Sequence, residues 1–185
     1  MKRVNIYFAE GFEEIEAITV VDVLRRAEID ARMISIAGRK TVKGAHGIMV
    51  EADELFENAD NLGADMLVLP GGMPGTMYLG EHKGLRDVIM SFAEKNKLIA
   101  AICAAPSVLG NMGLLEGRKA VCYPGFEDDL RGAVIGADII SQEGNYITSK
   151  GPGTAIYFAL RLVEVLADKQ TAEELREGMI VQGEH

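Results

Sequence analysis

The sequence has few of the features that mark proteins which bind nucleic acids or membranes. It carries 19 basic against 28 acidic residues, a net charge of −9, and its lysines and arginines never form a run. Neither nucleic acid nor an anionic membrane is therefore expected as a binding partner. No apolar stretch approaches the ~20 residues of a membrane span. The first residues lead into a strand-like segment without a signal-peptide pattern, which predicts a cytoplasmic protein.

Cysteine is also scarce, and the sequence signatures of cofactor binding are missing. Cys103 and Cys122 are the two cysteines of the chain, and they lie in different contexts without metal-ligand spacing. A structural disulfide is not expected in a reducing cytosol. With no ligand cluster and no dinucleotide fingerprint, the sequence predicts neither a metal nor an organic cofactor.

Short β-branched runs alternate with longer amphipathic segments along the 185 residues. This alternation predicts an α/β fold, in which helices cover both faces of a mainly parallel sheet, and one domain over residues 1–185. Strands are expected at residues 4–8, 31–36, 65–69 and 98–102. Helices are expected at 13–27, 84–96 and 154–167. Antiparallel hairpins at 41–51 and 139–148 should decorate the sheet, and the tail after residue 182 should be loose.

Cys103 stands where an apolar strand meets the start of a helix. The strand is Leu98–Ile102, and Pro106 suits the first turn of the following helix. Ala101 and Ala105 occupy the small positions two residues either side of Cys103, as glycines do in the G-x-S-x-G elbow. A helix amino terminus favours a thiolate, so Cys103 is expected to be a nucleophile with a lowered pKa. The alternative is a small buried residue at the end of a core strand.

A glycine pair, Gly71 and Gly72, follows the strand expected at residues 65–69. Such a turn lies at the carboxyl edge of the sheet, where ligands bind in open α/β folds. The backbone N–H groups of Gly72 and Ala104 could donate to the oxyanion that forms when Cys103 attacks a carbonyl. Taken alone, the pair indicates only a tight turn.

Glu16 shares the apolar face of the first predicted helix with Val20. Burial there should favour the protonated carboxyl, which makes Glu16 a proton donor or acceptor beside a thiolate. Glu14 is expected nearer the solvent. Glu13, at the start of the helix, is expected to complement the helix dipole.

Histidine is the usual general base, but none is expected beside Cys103. His46 falls in a predicted hairpin, while His82, in a loop, and His185, at the end of the chain, are expected on the solvated surface. A Cys–His dyad is therefore unsupported. Cys122 is predicted to be a buried and unreactive strand residue.

Four segments in this order are similar to the motifs of the ThiJ/PfpI superfamily, namely residues 9–16, 69–72, 100–106 and 148–154. The chain more closely resembles the branch that contains the parkinsonism-associated deglycase and its bacterial relatives. The resemblance implies a flavodoxin-like three-layer sandwich and a homodimer. It also implies that Cys103 is the reactive cysteine, that Glu16 is its protonated hydrogen-bond partner, and that Gly72 and Ala104 form the oxyanion site.

Two positions separate the chain from other parts of that superfamily. The peptidase branch has a histidine directly after its cysteine, whereas this chain has Ala104, so a cysteine peptidase is disfavoured. Some relatives place a histidine where this chain has Tyr123, which removes another possible base.

Together these residues predict a cofactor-free enzyme for reactive carbonyls. Its substrates would be 2-oxoaldehydes such as methylglyoxal, or their early adducts on proteins and small molecules, with Cys103 as nucleophile and Glu16 as proton shuttle. The alternative is an oxidative-stress sensor or holding chaperone that uses oxidation of Cys103 without turnover.

Overall fold

The structure is a computed structural model that describes residues 1–183, and a central β-sheet organises it. The eleven strands are β1 (Arg3–Phe8), β2 (Asp30–Ser35), β3 (Thr41–Lys43), β4 (Met49–Glu51), β5 (Glu54–Leu55), β6 (Met66–Leu69), β7 (Leu98–Ile102), β8 (Lys119–Ala120), β9 (Val134–Ile135), β10 (Ile140–Glu143) and β11 (Tyr146–Ser149). The six α-helices are α1 (Glu14–Arg26), α2 (Gly75–Glu81), α3 (Lys83–Glu94), α4 (Pro106–Asn111), α5 (Ala155–Leu166) and α6 (Lys169–Gly178).

Seven strands form the main sheet, in the order β10-β11-β7-β6-β1-β2-β5. All neighbours pair in parallel except β10 and β11. The hairpin predicted at residues 139–148 is thus confirmed as antiparallel, but it extends the sheet rather than decorating it, because β11 pairs with β7. The hairpin predicted at residues 41–51 forms β3 and β4, apart from the main sheet.

Helices cover both faces of the sheet, as the alternation of segments predicts. Strand residues such as Ile6 and Phe8 pack with α1, α5 and α6, whereas Tyr7 points into the opposite layer with α2, α3 and α4. Central strands are apolar on both sides because both of their faces are buried. The expected flavodoxin-like three-layer α/β fold is confirmed.

The sequence patterns miss two helices, α2 and α6. Helix α2 begins after Pro74 without a side-chain cap and contains two glycines, so no local start signal or propensity marks it. Helix α6 is mostly polar and is buried chiefly through Ala172 against α5. Of the tail expected to be loose, residues 184–185 lie outside the described residues. None of the helices in residues 1–183 has the length and apolar character needed to cross a bilayer.

Candidate active site

Two loops meet at the carboxyl edge of the sheet, because the parallel strands β6 and β7 are neighbours. The loop after β6 carries Gly71 and Gly72, and the turn after β7 carries Cys103. Cys103 adopts a φ of 65°, the left-handed region that costs a side-chain-bearing residue energy. Its N–H donates to Ser149 O at 3.0 Å, and its carbonyl accepts from the Tyr123 N–H at 2.8 Å. The sharp strand-to-helix bend predicted from the sequence is therefore present, and the strained Cys103 is held on both sides.

Glu16 lies in the first turn of α1 with its carboxyl at this edge. The residue is 0% exposed. Its Oε2 accepts a hydrogen bond of 2.8 Å from the Gly71 N–H, while its buried Oε1 has no hydrogen-bond partner among residues 1–183. The carboxyl also interacts with the Cys103 thiol closely enough that each shifts the pKa of the other. The structure thus places Glu16 beside Cys103, where the periodicity of α1 and the resemblance both expect it.

Glycine is required between these two side chains. A Cβ on Gly71 would lie 2.5 Å from the Cys103 Cβ and 2.7 Å from the Glu16 Oε2, so any other residue would drive the pair apart. Gly72 has a φ of 92°, a conformation that suits glycine. The N–H groups of Gly72 and Ala104 both act on the thiol and lower its pKa. They therefore point at the sulfur, where the sequence predicts the oxyanion donors.

Burial dominates the electrostatics of the pair. It raises the pKa of Glu16 to about 7, helped by the nearby Glu13 and opposed by the hydrogen bonds from Cys103 and Gly71. The pKa of Cys103 is raised to about 12, first by burial and then by the Glu16 carboxylate, against the two backbone N–H groups, which lower it. The expected shift of the thiol pKa below its ordinary value is therefore wrong in direction. The helix terminus that motivates it belongs to α4, which has six residues, and the loss of solvent outweighs its field.

These values assign different resting roles to the two groups. Near neutral pH, the raised pKa of Glu16 makes both its protonated and its ionised form accessible, while the raised pKa of Cys103 keeps the thiol protonated. The ionised carboxylate is then a base beside a thiol. Proton transfer between them converts the pair into a protonated acid and a thiolate that the N–H groups of Gly72 and Ala104 stabilise. The arrangement suits nucleophilic attack with simultaneous proton transfer.

A second acidic group joins the start of α1 to the β3–β4 hairpin. Glu14 is buried, not near the solvent as expected, because it accepts from the His46 N–H at 2.7 Å and from the Ile48 N–H at 3.4 Å, and pairs with His46 Nδ1 at 2.7 Å. Glu13 caps the helix by accepting from the Glu16 N–H at 2.8 Å. Glu13, Glu14 and His46 bring possible metal ligands within 4.8 Å of one another, a cluster the sequence does not predict. Both Glu14 oxygens already have donors, so the cluster ties the hairpin to α1.

The other histidines and the second cysteine take up structural positions. His82 is half-buried, not simply solvated, because it caps α3 by accepting from the Leu85 N–H at 3.0 Å and packs on Phe56. His185 lies outside the described residues. Cys122 is buried as expected, but it follows β8 instead of lying in a strand, and burial raises its pKa to about 11.

Ser107 and Thr76 each hold one of the oxyanion loops by a hydrogen bond, and neither residue is predicted from the sequence. The Ser107 hydroxyl donates to the Ala104 carbonyl at 2.6 Å, and the Thr76 N–H donates to the Gly72 carbonyl at 2.9 Å. Ser107 could be found by its position three residues after Ala104, since a serine hydroxyl can bond the carbonyl of the residue three positions earlier. No sequence signal marks Thr76, because the helix that carries it is itself missed.

Known proteins resemble the chain in sequence and in fold. It is 38% identical to protein DJ-1 homolog B of Arabidopsis thaliana over 94% of this chain, although it spans only 40% of that protein. It is 34% identical to a deglycase of Pyrococcus abyssi, over 89% of this chain and 99% of the relative. The structure of oxidised Toxoplasma gondii DJ-1 superposes with a TM-score of 0.93 at 36% identity, over 97% of this chain and 98% of the other. Residues 2–165 match the DJ-1/PfpI family, and the chain belongs to that family.

Proposed function

We propose that the protein is a cofactor-free, cysteine-dependent enzyme for reactive carbonyls, with Cys103 as nucleophile and Glu16 as proton shuttle. Its substrates are 2-oxoaldehydes such as methylglyoxal, or their early adducts on amines and thiols. The observation that carries the proposal is the contact of a fully buried carboxyl, with a pKa near 7, with a thiol at a strained elbow. Such a perturbed pair is the combination that covalent catalysis requires.

The first step of the proposed reaction forms a hemithioacetal. The Glu16 carboxylate takes the thiol proton as the sulfur attacks the aldehyde carbon. A C–S bond forms, and the electron pair of the C=O bond moves to oxygen, where the N–H groups of Gly72 and Ala104 stabilise the negative charge. Protonated Glu16 then delivers its proton to this oxygen.

The second step moves a proton within the bound substrate. Glu16 removes the proton from the former aldehyde carbon and returns one to the neighbouring ketone carbon through an enediol, which leaves a 2-hydroxy thioester on Cys103. Water hydrolyses the thioester to a 2-hydroxy acid and restores the thiol. One carbon is oxidised and its neighbour reduced by the same two electrons, so the sum is 2-oxoaldehyde plus water to 2-hydroxy acid without an external oxidant.

Sequence similarity supports this substrate class. The Pyrococcus abyssi relative is named a deglycase, and this chain covers 99% of it. A cytoplasmic location fits the proposal, because a reducing cytosol keeps the thiol available for attack.

The test is methylglyoxal consumption, with the product identified by NMR. The wild type and Cys122→Ser are expected to form lactate, whereas Cys103→Ser is not. Equal turnover by Cys103→Ser, or loss of turnover only in Cys122→Ser, would refute the nucleophile assignment. No lactate from the folded wild type would refute the reaction.

A second candidate, a peroxide sensor, is favoured by the Glu16 carboxyl, which interacts with the Cys103 thiol and has an Oε1 without a partner among residues 1–183. Peroxide would oxidise Cys103 to a sulfenate with release of water, and a second peroxide would give the sulfinate. A protonated Glu16 could then donate to a sulfinate oxygen. The related Toxoplasma gondii protein is described in an oxidised form. Mass spectrometry after graded peroxide separates the candidates, since stoichiometric oxidation without methylglyoxal turnover supports the sensor.

A homodimer is proposed as the assembly, through an apolar patch on α1 and the adjoining hairpin. Ile15 and Ile18 on α1, with Ile48 and Met49 on the hairpin, are exposed by 38% to 56%. Glu14 joins the two elements by accepting from the Ile48 N–H, so the four side chains belong to one side of the molecule. Exposed apolar groups that cluster in this way mark interaction surfaces.

A further inference from the structure

A separate cleft lies beside the candidate active site, between α2, α4 and the turn at Phe126–Asp129. Its volume is about 310 Å³, at the lower end of the ~300–1,000 Å³ typical of small-molecule sites. Neither Cys103 nor Glu16 lies on its wall. The reaction proposed above therefore makes no use of this cleft.

The cleft contains a polar group without a partner. Thr76 is 4% exposed and forms part of the wall, and its Oγ1 has no hydrogen-bond partner in residues 1–183. Buried hydroxyl groups are nearly always satisfied, and an exception calls for an explanation such as a ligand. The Thr76 backbone N–H has a partner, because it donates to the Gly72 carbonyl. No backbone carbonyl of residues 1–183 accepts from the Thr76 hydroxyl.

Charged side chains of both signs line the same cleft, and within residues 1–183 they do not pair with one another. Arg86 uses one guanidinium N–H to bind the Gly80 carbonyl at 3.2 Å, and it has no carboxylate within 4.0 Å in the described part of the chain. Glu81 and Asp129 also line the cleft, and neither forms an ion pair among residues 1–183. A cleft lined by an unpaired guanidinium and by unpaired carboxylates is complementary to a ligand that carries both charges.

Apolar side chains form another part of the wall. Met73, Met77 and Phe126 line the cleft, and both methionines are about half exposed. Methionine adapts to ligands of varied shape because its side chain is unbranched and polarisable. An aliphatic group of a few carbons can contact these side chains while a charged end reaches the rim.

We propose that this cleft binds the zwitterionic end of a small aliphatic α-amino acid. The ligand carboxylate pairs with the Arg86 guanidinium and accepts from the Thr76 hydroxyl. The ligand ammonium lies between Glu81 and Asp129, and the aliphatic side chain packs on Met73 and Phe126. The site is independent of turnover at Cys103, so its occupancy can be measured whether or not the proposed enzyme activity is correct.

A backbone link joins the cleft to the oxyanion loop. Met73 directly follows Gly72, and the Thr76 N–H holds the Gly72 carbonyl at 2.9 Å. On the opposite wall, Ser107 holds the Ala104 carbonyl through a hydrogen bond of 2.6 Å. A ligand that orders these walls also orders both donors that act on the thiol.

The test is an NMR titration of the folded, uniformly ¹⁵N-labelled protein with L-leucine. Saturable amide shifts are expected at Thr76 and around Phe126. N-acetyl-L-leucine, which lacks the cation, and L-leucinamide, which lacks the anion, should each bind at least about tenfold more weakly. Absence of saturable shifts at millimolar leucine, or equal binding of either analogue, would overturn the proposal.

Two variants locate the binding site. Arg86→Gln should weaken leucine binding by about tenfold, whereas Lys95→Gln, the same loss of charge at the exposed residue directly after α3, should leave it unchanged. Thr76→Val keeps the shape of the side chain, so it should fold normally and lower affinity about fivefold. Unchanged affinity in Arg86→Gln, or an equal effect of Lys95→Gln, would refute the assignment.

Discussion

Glu16→Gln is the substitution that most directly separates a proton shuttle from a structural partner. The glutamine amide keeps an oxygen for the Gly71 N–H, which donates to Glu16 Oε2 at 2.8 Å in the wild type. The loop geometry should therefore survive. Glutamine cannot take a proton from Cys103, however, and it carries no negative charge.

The expected loss of turnover follows from the role of the carboxylate. General base catalysis contributes roughly 10²–10⁴-fold, which corresponds to about 3–5 kcal/mol of transition-state stabilisation. Methylglyoxal turnover by Glu16→Gln should fall by that factor near neutral pH. Wild-type turnover should rise as the pH increases through about 7, where Glu16 ionises, and the variant should lack this inflection.

The reactivity of the Cys103 thiol toward alkylation should rise in Glu16→Gln, although turnover falls. The negative charge of Glu16 raises the pKa of Cys103, so removing the charge should lower that pKa from its value of about 12. Alkylation of Cys103 by iodoacetamide, measured against pH, reports this shift. The variant should thus alkylate at lower pH while turning over more slowly, with Glu94→Gln, an exposed residue on α3, as the matched control. Turnover close to the wild type, or a thiol pKa that rises, would refute the reasoning.

Three further outcomes are expected. Since the folded state raises the pKa of Glu16 from 4.5 to about 7, the stability it contributes is present below about pH 4.5 and lost as the pH rises through about 7. Glu16→Gln should therefore be more stable than the wild type by about 3 kcal/mol at pH 8, measured by urea unfolding, and equal stabilities there would contradict this. Gly71→Ala should lower turnover at least about tenfold by separating the reactive pair, whereas Gly178→Ala, with open space around it, should not. Ile48→Glu should give a 20.0 kDa monomer in light scattering while Val134→Glu stays dimeric; a monomeric wild type would refute the dimer.

The position of the candidate site could be predicted because it depends on topology. Parallel neighbouring strands end at one edge, so the turns after β6 and β7 must meet. Glu16 could be predicted as well, since the period of α1 puts it among apolar residues that face the core. These inferences need only local patterns and one rule of strand pairing.

The errors arise where a distant segment covers a residue. Glu14 has the helical phase of a surface residue, but the β3–β4 hairpin folds over it and donates two backbone N–H groups to it. The predicted pKa of the Cys103 thiol is wrong for the same reason. The helix terminus that would lower this pKa can be read from the sequence, whereas the depth of burial that raises it cannot. Burial and hydrogen bonding between remote segments are properties of the packed chain.

One cause, exclusion of water, accounts for both the reactivity and the cost of this site. The same burial that holds Glu16 at a pKa near 7 leaves its Oε1 without a donor, and Cys103 occupies a strained φ of 65°. The strain at Cys103 and the unsatisfied Oε1 of Glu16 each oppose folding by about 1–3 kcal/mol. The elbow persists because Ser149 and Tyr123 hold the Cys103 backbone on both sides. A site filled with water would remove these costs, but the water would also screen the N–H groups of Gly72 and Ala104, which stabilise the thiolate and the oxyanion.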